Sequence, residues 1–398
     1  MHPALALALI LVAGIGVTRL SRPAFRHPRL LDDLLGTGVP FLLLGLLLGP
    51  GLGVFDAIGL RLLQPIMALG IGWSGALFGA RLEWRMIRRV SPRTWLIGAT
   101  LALPVLLVTT ALVLVLARAL PALAESWGIT GGGRSTLAVA LVLAGAITTA
   151  ASQRGARLGR RNALFDTTFG AAAVIVGVAL YYPHVVVRSV ILTLVVGGGL
   201  GGLFVALGRS GMLHDARDAA IAAFAVFLWG AGFSYAARLS PFVVCGLEAA
   251  VCMSFAPIPV RHALAGLLSR WELPLYAAFL ILAGALLRPF SPWVLPAALA
   301  LSLVRIVVRW VTVRFGLDQV DPVWRSLPFA PPPEFAHSAI RQGASAVALA
   351  AGFDLVRSAT TAGGIGGAVL VTILLSVMAA EAMALTPLTA RPKHAEVS

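Results

Sequence analysis

Apolar runs of roughly 17 to 25 residues recur from one end of this 398-residue chain to the other, separated by short turns. A run of that length in lipid must satisfy its backbone N–H and C=O groups internally, so the chain is expected to fold as a bundle of membrane-spanning helices. About thirteen such spans are predicted, at 3–19, 34–50, 57–80, 95–117, 135–152, 163–182, 185–207, 219–237, 240–256, 273–288, 292–314, 336–354 and 363–386. Only 12% of residues are charged and 59% are hydrophobic, which leaves no room for a separate soluble domain. The fold class expected is therefore an all-α polytopic membrane protein.

A formal net charge of +15 suggests an acidic partner such as nucleic acid, but the arginines do not gather on one face. They sit in alternate turns. Loops after odd-numbered spans hold Arg22, Arg26 and Arg29; Arg81, Arg85, Arg88, Arg89 and Arg93; Arg154, Arg157, Arg160 and Arg161; Arg209 and Arg217; Arg261 and Arg270; Arg314 and Arg325; Arg391 and Lys393. Loops after even-numbered spans hold Arg118 and Arg134, Arg188, Arg238, Arg288 and Arg357. By the positive-inside rule this places the N-terminus outside and the C-terminus in the cytoplasm of a multi-pass cell-membrane protein. The first run, ending near Val17, lacks a convincing cleavage site and is expected to be a retained helix.

Against this apolar background the polar residues inside spans carry the functional question, because an ionisable group there costs at least a few kcal/mol. Between Ser135 and Tyr182, two spans flank a basic turn; the first carries Thr148 and Thr149, the second Asp166. Arg305 lies near the centre of the eleventh span with Arg309 one turn further on, and Arg341 and Gln342 open into the twelfth. Glu248 is central in the ninth span. Glu381 lies near the cytoplasmic end of the last, where its side chain is expected to reach water. Glycines at four-residue spacing, Gly75 with Gly79 and the run from Gly197 to Gly202, are read as surfaces for close helix packing.

Several longer stretches resemble a known family. Leu44-Gly45-Leu-Leu-Leu-Gly49-Pro50 with Gly70-Ile-Gly-Trp73-Ser-Gly75 is similar to the second and third helices of the cation:proton antiporter superfamily, above all its Kef-like and sodium/proton exchanger-like branches. Leu239-Ser240-Pro241, Trp271-Glu272-Leu-Pro274 to Gly284, and Gln342-Gly343-Ala344 follow in the family's order. That resemblance implies inverted repeats in which two broken helices, here the fifth and twelfth spans, cross near the midplane beside an ion-binding carboxylate. It implies a scaffold and dimer face from about 1–93 and 219–288, a core from about 95–182 and 292–386, and a short cytoplasmic tail at 387–398 with no nucleotide-binding domain. The chain is then expected to be a homodimer.

The roles implied are exchange at Asp166, with oxygens from Thr148, Thr149 and Gln342, and charge compensation in the core by Arg305, Arg341 and Arg309. Glu248 and Glu381 are secondary candidates. The sequence departs from the family where an Asn-Asp, Gln-Asp or Asp-Asp pair is usual, since Phe165 precedes Asp166. If the helix starts near Arg161, Asp166 stands only about 7 Å in. Two readings stay open. In one, Asp166 exchanges sodium or potassium for protons; in the other it is an ion-pair partner of a nearby arginine, in a transporter-fold protein that has lost exchange and serves a binding or regulatory role.

An enzyme is not expected: there is no His-Glu-x-x-His helix, no Gly-x-Ser-x-Gly elbow and no phosphate-binding loop. His2, His27, His184, His214, His262, His337 and His394 are scattered through loops and span ends, so no metal site and no cofactor are expected. Asp32 and Asp33 follow a basic loop at a helix start, where two acids meet the helix dipole favourably.

Overall fold

A computed structural model describes residues 12, 16, 38–52, 63–129, 132–150, 157–213, 215–287, 291–313, 342–358 and 367–384. The regular elements among the described residues are all helices, without a strand. The helices are α1 (Val39–Leu46), α2 (Gln64–Gly79), α3 (Trp84–Arg89), α4 (Pro92–Ala119), α5 (Pro121–Ser126), α6 (Gly132–Thr148), α7 (Arg157–Tyr181), α8 (Val186–Arg209), α9 (Ala216–Ala236), α10 (Pro241–Phe255), α11 (Ile258–Ala285), α12 (Val294–Val311), α13 (Ala344–Ser358) and α14 (Ala368–Ala384). Among the described residues six helical stretches, from Pro92–Ala119 to Val294–Val311, are long and apolar enough to cross a bilayer. The protein is a multi-pass membrane protein. Arg341, proposed above as a charge partner, lies outside the described residues, as do Asp32 and Asp33.

Helix starts follow local chemistry. Proline falls in the first turn of α2, α4, α5, α10 and α11, where its missing N–H costs nothing, and Ser91 caps α4 by accepting from the Thr94 amide. Pro104 and Pro274 sit inside α4 and α11, a placement that membrane helices tolerate.

The chain divides into two units. The first comprises Met1–Arg89, His184–Pro289 and Ala351–Gly367; the second comprises Val90–Pro183, Phe290–Ala350 and Ala368–Ser398. In the first, α2 packs along α10 so closely that a Cβ on Gly75 would overlap the carbonyl of Phe242, and one on Gly79 the carbonyl of Gly246. Gly45 and Gly49 meet the backbone of α11 at Ile281 and Ala285 in the same way. Small residues thus replace hydrophobic driving force with backbone-to-backbone contact, as lipid requires. In contrast, Gly198, Gly199 and Gly202 on α8 have nothing against them among the described residues.

In the second unit α6 packs on α7 and α4, while α12 packs on α14 and α4. Helix α12 is turned inside out relative to a helix of a soluble protein. Val294, Ala297, Ala298, Leu301, Ser302, Arg305 and Arg309 form its buried face, whereas Leu295, Leu299, Leu303, Val307 and Trp310 are exposed. Large apolar side chains outside and guanidinium groups inside suit a helix whose outer surroundings are lipid.

Candidate functional site

The site is built where α6 stops. Its last carbonyls lack helical partners and carry the negative end of the helix dipole, and here they are buried. Two side chains complete them: Gln342 Nε2 donates to the Ile147 carbonyl at 3.1 Å, and Arg305 Nη2 donates to the Thr149 carbonyl at 3.2 Å. A guanidinium at that end answers both the charge and the missing donor.

Thr148 and Thr149 are fully buried. Each hydroxyl donates back to its own helix, Thr148 Oγ1 to Ala144 O at 2.8 Å and Thr149 Oγ1 to Ala146 O at 2.8 Å. Because a hydroxyl donates once and keeps lone pairs, both oxygens remain able to accept.

Asp166 comes alongside this end because α6 and α7 approach closely at two glycines. A Cβ on Gly145 would stand 2.5 Å from the Gly170 carbonyl, and one on Gly170 would stand 2.9 Å from Thr149 Cγ2. Gly170 is one turn beyond Asp166, so this contact sets the depth at which the carboxyl group meets the α6 terminus. Helix α7 begins at Arg157, four residues before the expected start. Asp166 is therefore about 14 Å along the helix axis rather than 7 Å, and it is only 1% exposed.

Of the three arginines offered as compensation, Arg309 is the one seen paired with Asp166. Its Nη2 donates to Asp166 Oδ2, and both residues are buried. Asp166 Oδ1 has no hydrogen-bond partner among the described residues. Arg305, one turn away on the same face of α12, feels the charges of Arg309, Asp166 and Glu381.

Glu381 corrects an expectation. Instead of reaching water it is 1% exposed, so among the described residues the second unit buries the carboxylates of Asp166 and Glu381 with the guanidiniums of Arg305 and Arg309. Glu248 belongs to the other unit. It is 0% exposed on α10, with neither carboxyl oxygen hydrogen-bonded among the described residues, and one oxygen lies where a Cβ on Gly230 would stand. Phe165, which precedes Asp166, stacks edge-on against Trp95 at 4.9 Å and lies over Gly98.

Sequence reasoning missed the serines. Ser302 and Ser376 are buried beside Gln342, and Thr372 Oγ1, one turn before Ser376, accepts from Trp127 Nε1 at 2.9 Å. Their signal was present as a four-residue polar spacing in the last apolar span and as a serine three before Arg305. Asp354 was also missed; it is buried at the end of α13, 3.2 Å from Arg357 within the first unit. No group of three or more histidine, cysteine or acidic side chains placed to hold a metal ion occurs among the described residues.

Neither a protein-family model nor a curated protein matches the sequence. A solved structure does: the sodium proton antiporter MjNhaP1 from Methanocaldococcus jannaschii, at pH 8, is similar over 96% of this chain and 95% of that chain, with 15% sequence identity and a TM-score of 0.53. At that identity the likeness speaks for the fold alone: the fold of this chain is similar to that of this antiporter structure.

Proposed function

We propose that this protein exchanges a monovalent cation, sodium or potassium, for protons across the cell membrane. The observation that carries this reading is Asp166, a buried carboxylate set against the polar C-terminal end of α6 in an antiporter-like fold. The similar archaeal structure is named as a sodium proton antiporter, which supports cation and proton as the exchanged pair.

In the cycle proposed, Asp166 is alternately protonated and cation-bound. Thr148 and Thr149 at the end of α6 offer hydroxyl oxygens, which suit a hard cation, and Gln342 holds the same helix end through the Ile147 carbonyl. Arg305 compensates the α6 terminus permanently, since guanidinium stays charged, and Arg341 completes the compensation. Arg309 competes for the same carboxylate: a proton on Asp166 releases it, and an incoming cation must displace it. The architecture proposed around this site has about thirteen crossings in inverted repeats, with α6 and α13 as the broken helices. The N-terminus lies outside, the C-terminus in the cytoplasm, and the chain forms a homodimer through its scaffold at about 1–93 and 219–288.

The Asp166–Arg309 ion pair also favours a second reading, in which Asp166 is locked and the protein binds or regulates without exchange. The two are separated by a pH-gradient assay in proteoliposomes or everted vesicles, with sodium, potassium and lithium added in turn. Exchange predicts cation-dependent proton movement that Asp166→Asn removes; absence of any such movement from about pH 6 to pH 9, the range over which a working carboxylate must titrate, selects the second reading.

A further inference from the structure

Four groups in the second unit are joined end to end across the site. Ser302 Oγ on α12 lies 2.9 Å from Ser376 Oγ on α14; Ser376 Oγ is 3.1 Å from Gln342 Oε1; and Gln342 Nε2 reaches the Ile147 carbonyl at 3.1 Å. Ser302, Ser376 and Gln342 are all buried.

Counting protons gives the chain a direction. Each serine hydroxyl has one hydrogen, and a glutamine oxygen only accepts. With the Ser376 proton given to Gln342 Oε1, the short contact between the serines requires Ser302 to donate to Ser376. Ser302 also lies 2.9 Å from the Ala298 carbonyl, but donation there would leave two hydroxyl oxygens facing without a proton between them. The amide is oriented too. Turned over, Gln342 would set its oxygen against the Ile147 carbonyl, acceptor against acceptor. Both ends of the Gln342 amide are thereby committed, one to Ser376 and one to the last turn of α6.

We propose that Ser376, seated by Ser302, is a positioning residue that holds Gln342 as a clasp on the end of α6 and withholds the Gln342 oxygen from the transported cation. This deepens the exchange reading and rests on it for the cation part. The segment leading into α13 is tied through one amide to the helix end that Asp166 lies alongside. Gln342 therefore acts on the conformational step of exchange and not on cation affinity.

The test uses the full chain in proteoliposomes, with Ser376→Ala, Gln342→Ala, the double variant and Ser376→Thr. Each single variant is expected to lower the maximal exchange rate about fivefold, the weight of one buried hydrogen bond. KM for the cation should stay within about twofold, because no ground-state contact to the ion is lost. The double variant should be no slower than the worse single one, and Ser376→Thr, which keeps the hydroxyl, should restore the rate. Thermal unfolding of the same purified proteins should show the same non-additivity without any need for transport. A KM rise in Gln342→Ala overturns the proposal by making Gln342 a ligand. Additive losses in unfolding sink the clasp whatever transport does. If the wild-type chain moves no protons with any cation while the unfolding losses are coupled, the clasp stands and the exchange reading fails.

Discussion

Arg309 on α12 donates to the carboxylate of Asp166 on α7, and neither side chain has appreciable access to solvent. The acid proposed to carry the ion thus already has a fixed cation as its partner. Removing one member of a buried pair leaves the other charge uncompensated, which costs more than the pair is worth.

Arg309→Met is accordingly expected to destabilise the protein by about 3–5 kcal/mol, and the double variant with Asp166→Asn by clearly less. Thermal unfolding in detergent measures both. Losses that add, so that the double variant falls by the sum of the two single variants, would mean that the pair is not a unit. Asp166→Asn alone should abolish exchange while the protein remains folded.

Arg305→Ala removes the donor from the Thr149 carbonyl and a cation that interacts electrostatically with Asp166 and Glu381. A loss of stability of at least about 3 kcal/mol is expected, read as reduced yield and a lowered unfolding temperature. Wild-type stability in this variant would remove Arg305 from the core's charge balance.

Phe165 occupies a position where the resembling family carries a polar companion, yet its ring is spent on Trp95 and Gly98. Phe165→Asn should therefore cost about 3–5 kcal/mol, as other truncations of buried aromatic rings do, without creating a second ion ligand. Unfolding and voltage-clamped exchange, measured together, distinguish lost packing from gained charge.

With one exchanging acid, a proton leaves for each cation bound and no net charge moves. Exchange should be electroneutral, its rate and end point indifferent to a clamped membrane potential. A dependence on potential would identify a second titrating group. Glu381, buried within electrostatic reach of Arg305, is then the residue to replace with glutamine, ahead of Glu248 in the other unit.

Gly79→Val places a branched side chain where α2 touches the Gly246 backbone of α10. The helices cannot separate without losing their whole contact, so overpacking of at least about 1–3 kcal/mol and a fall in folded yield are expected. Gly202→Val on α8, with open space beside it among the described residues, is the control that should fold normally.

The membrane class, the helical fold and the presence of charged groups within apolar spans at Asp166, Arg305 and Arg309 were legible in the sequence. Each rests on something local: the length of apolar runs, the cost of a charge within them, and the spacing of two arginines one turn apart. Close packing at Gly75 and Gly79 was legible for the same reason, since small residues four apart lie on one helix face.

Tertiary structure alone decided the partners. Composition cannot say that Arg309 meets Asp166, that Glu381 turns inward instead of snorkelling, or that Ser302 and Ser376 orient Gln342, because each pairing joins helices far apart in the chain. The start of the helix that carries Asp166 was placed too late because the basic turn reads as loop, whereas the helix runs back to Arg157. A charge in an apolar span announces that it must be compensated; which group compensates it depends on the packing of helices, and that is set by close contacts such as Gly145 against Gly170.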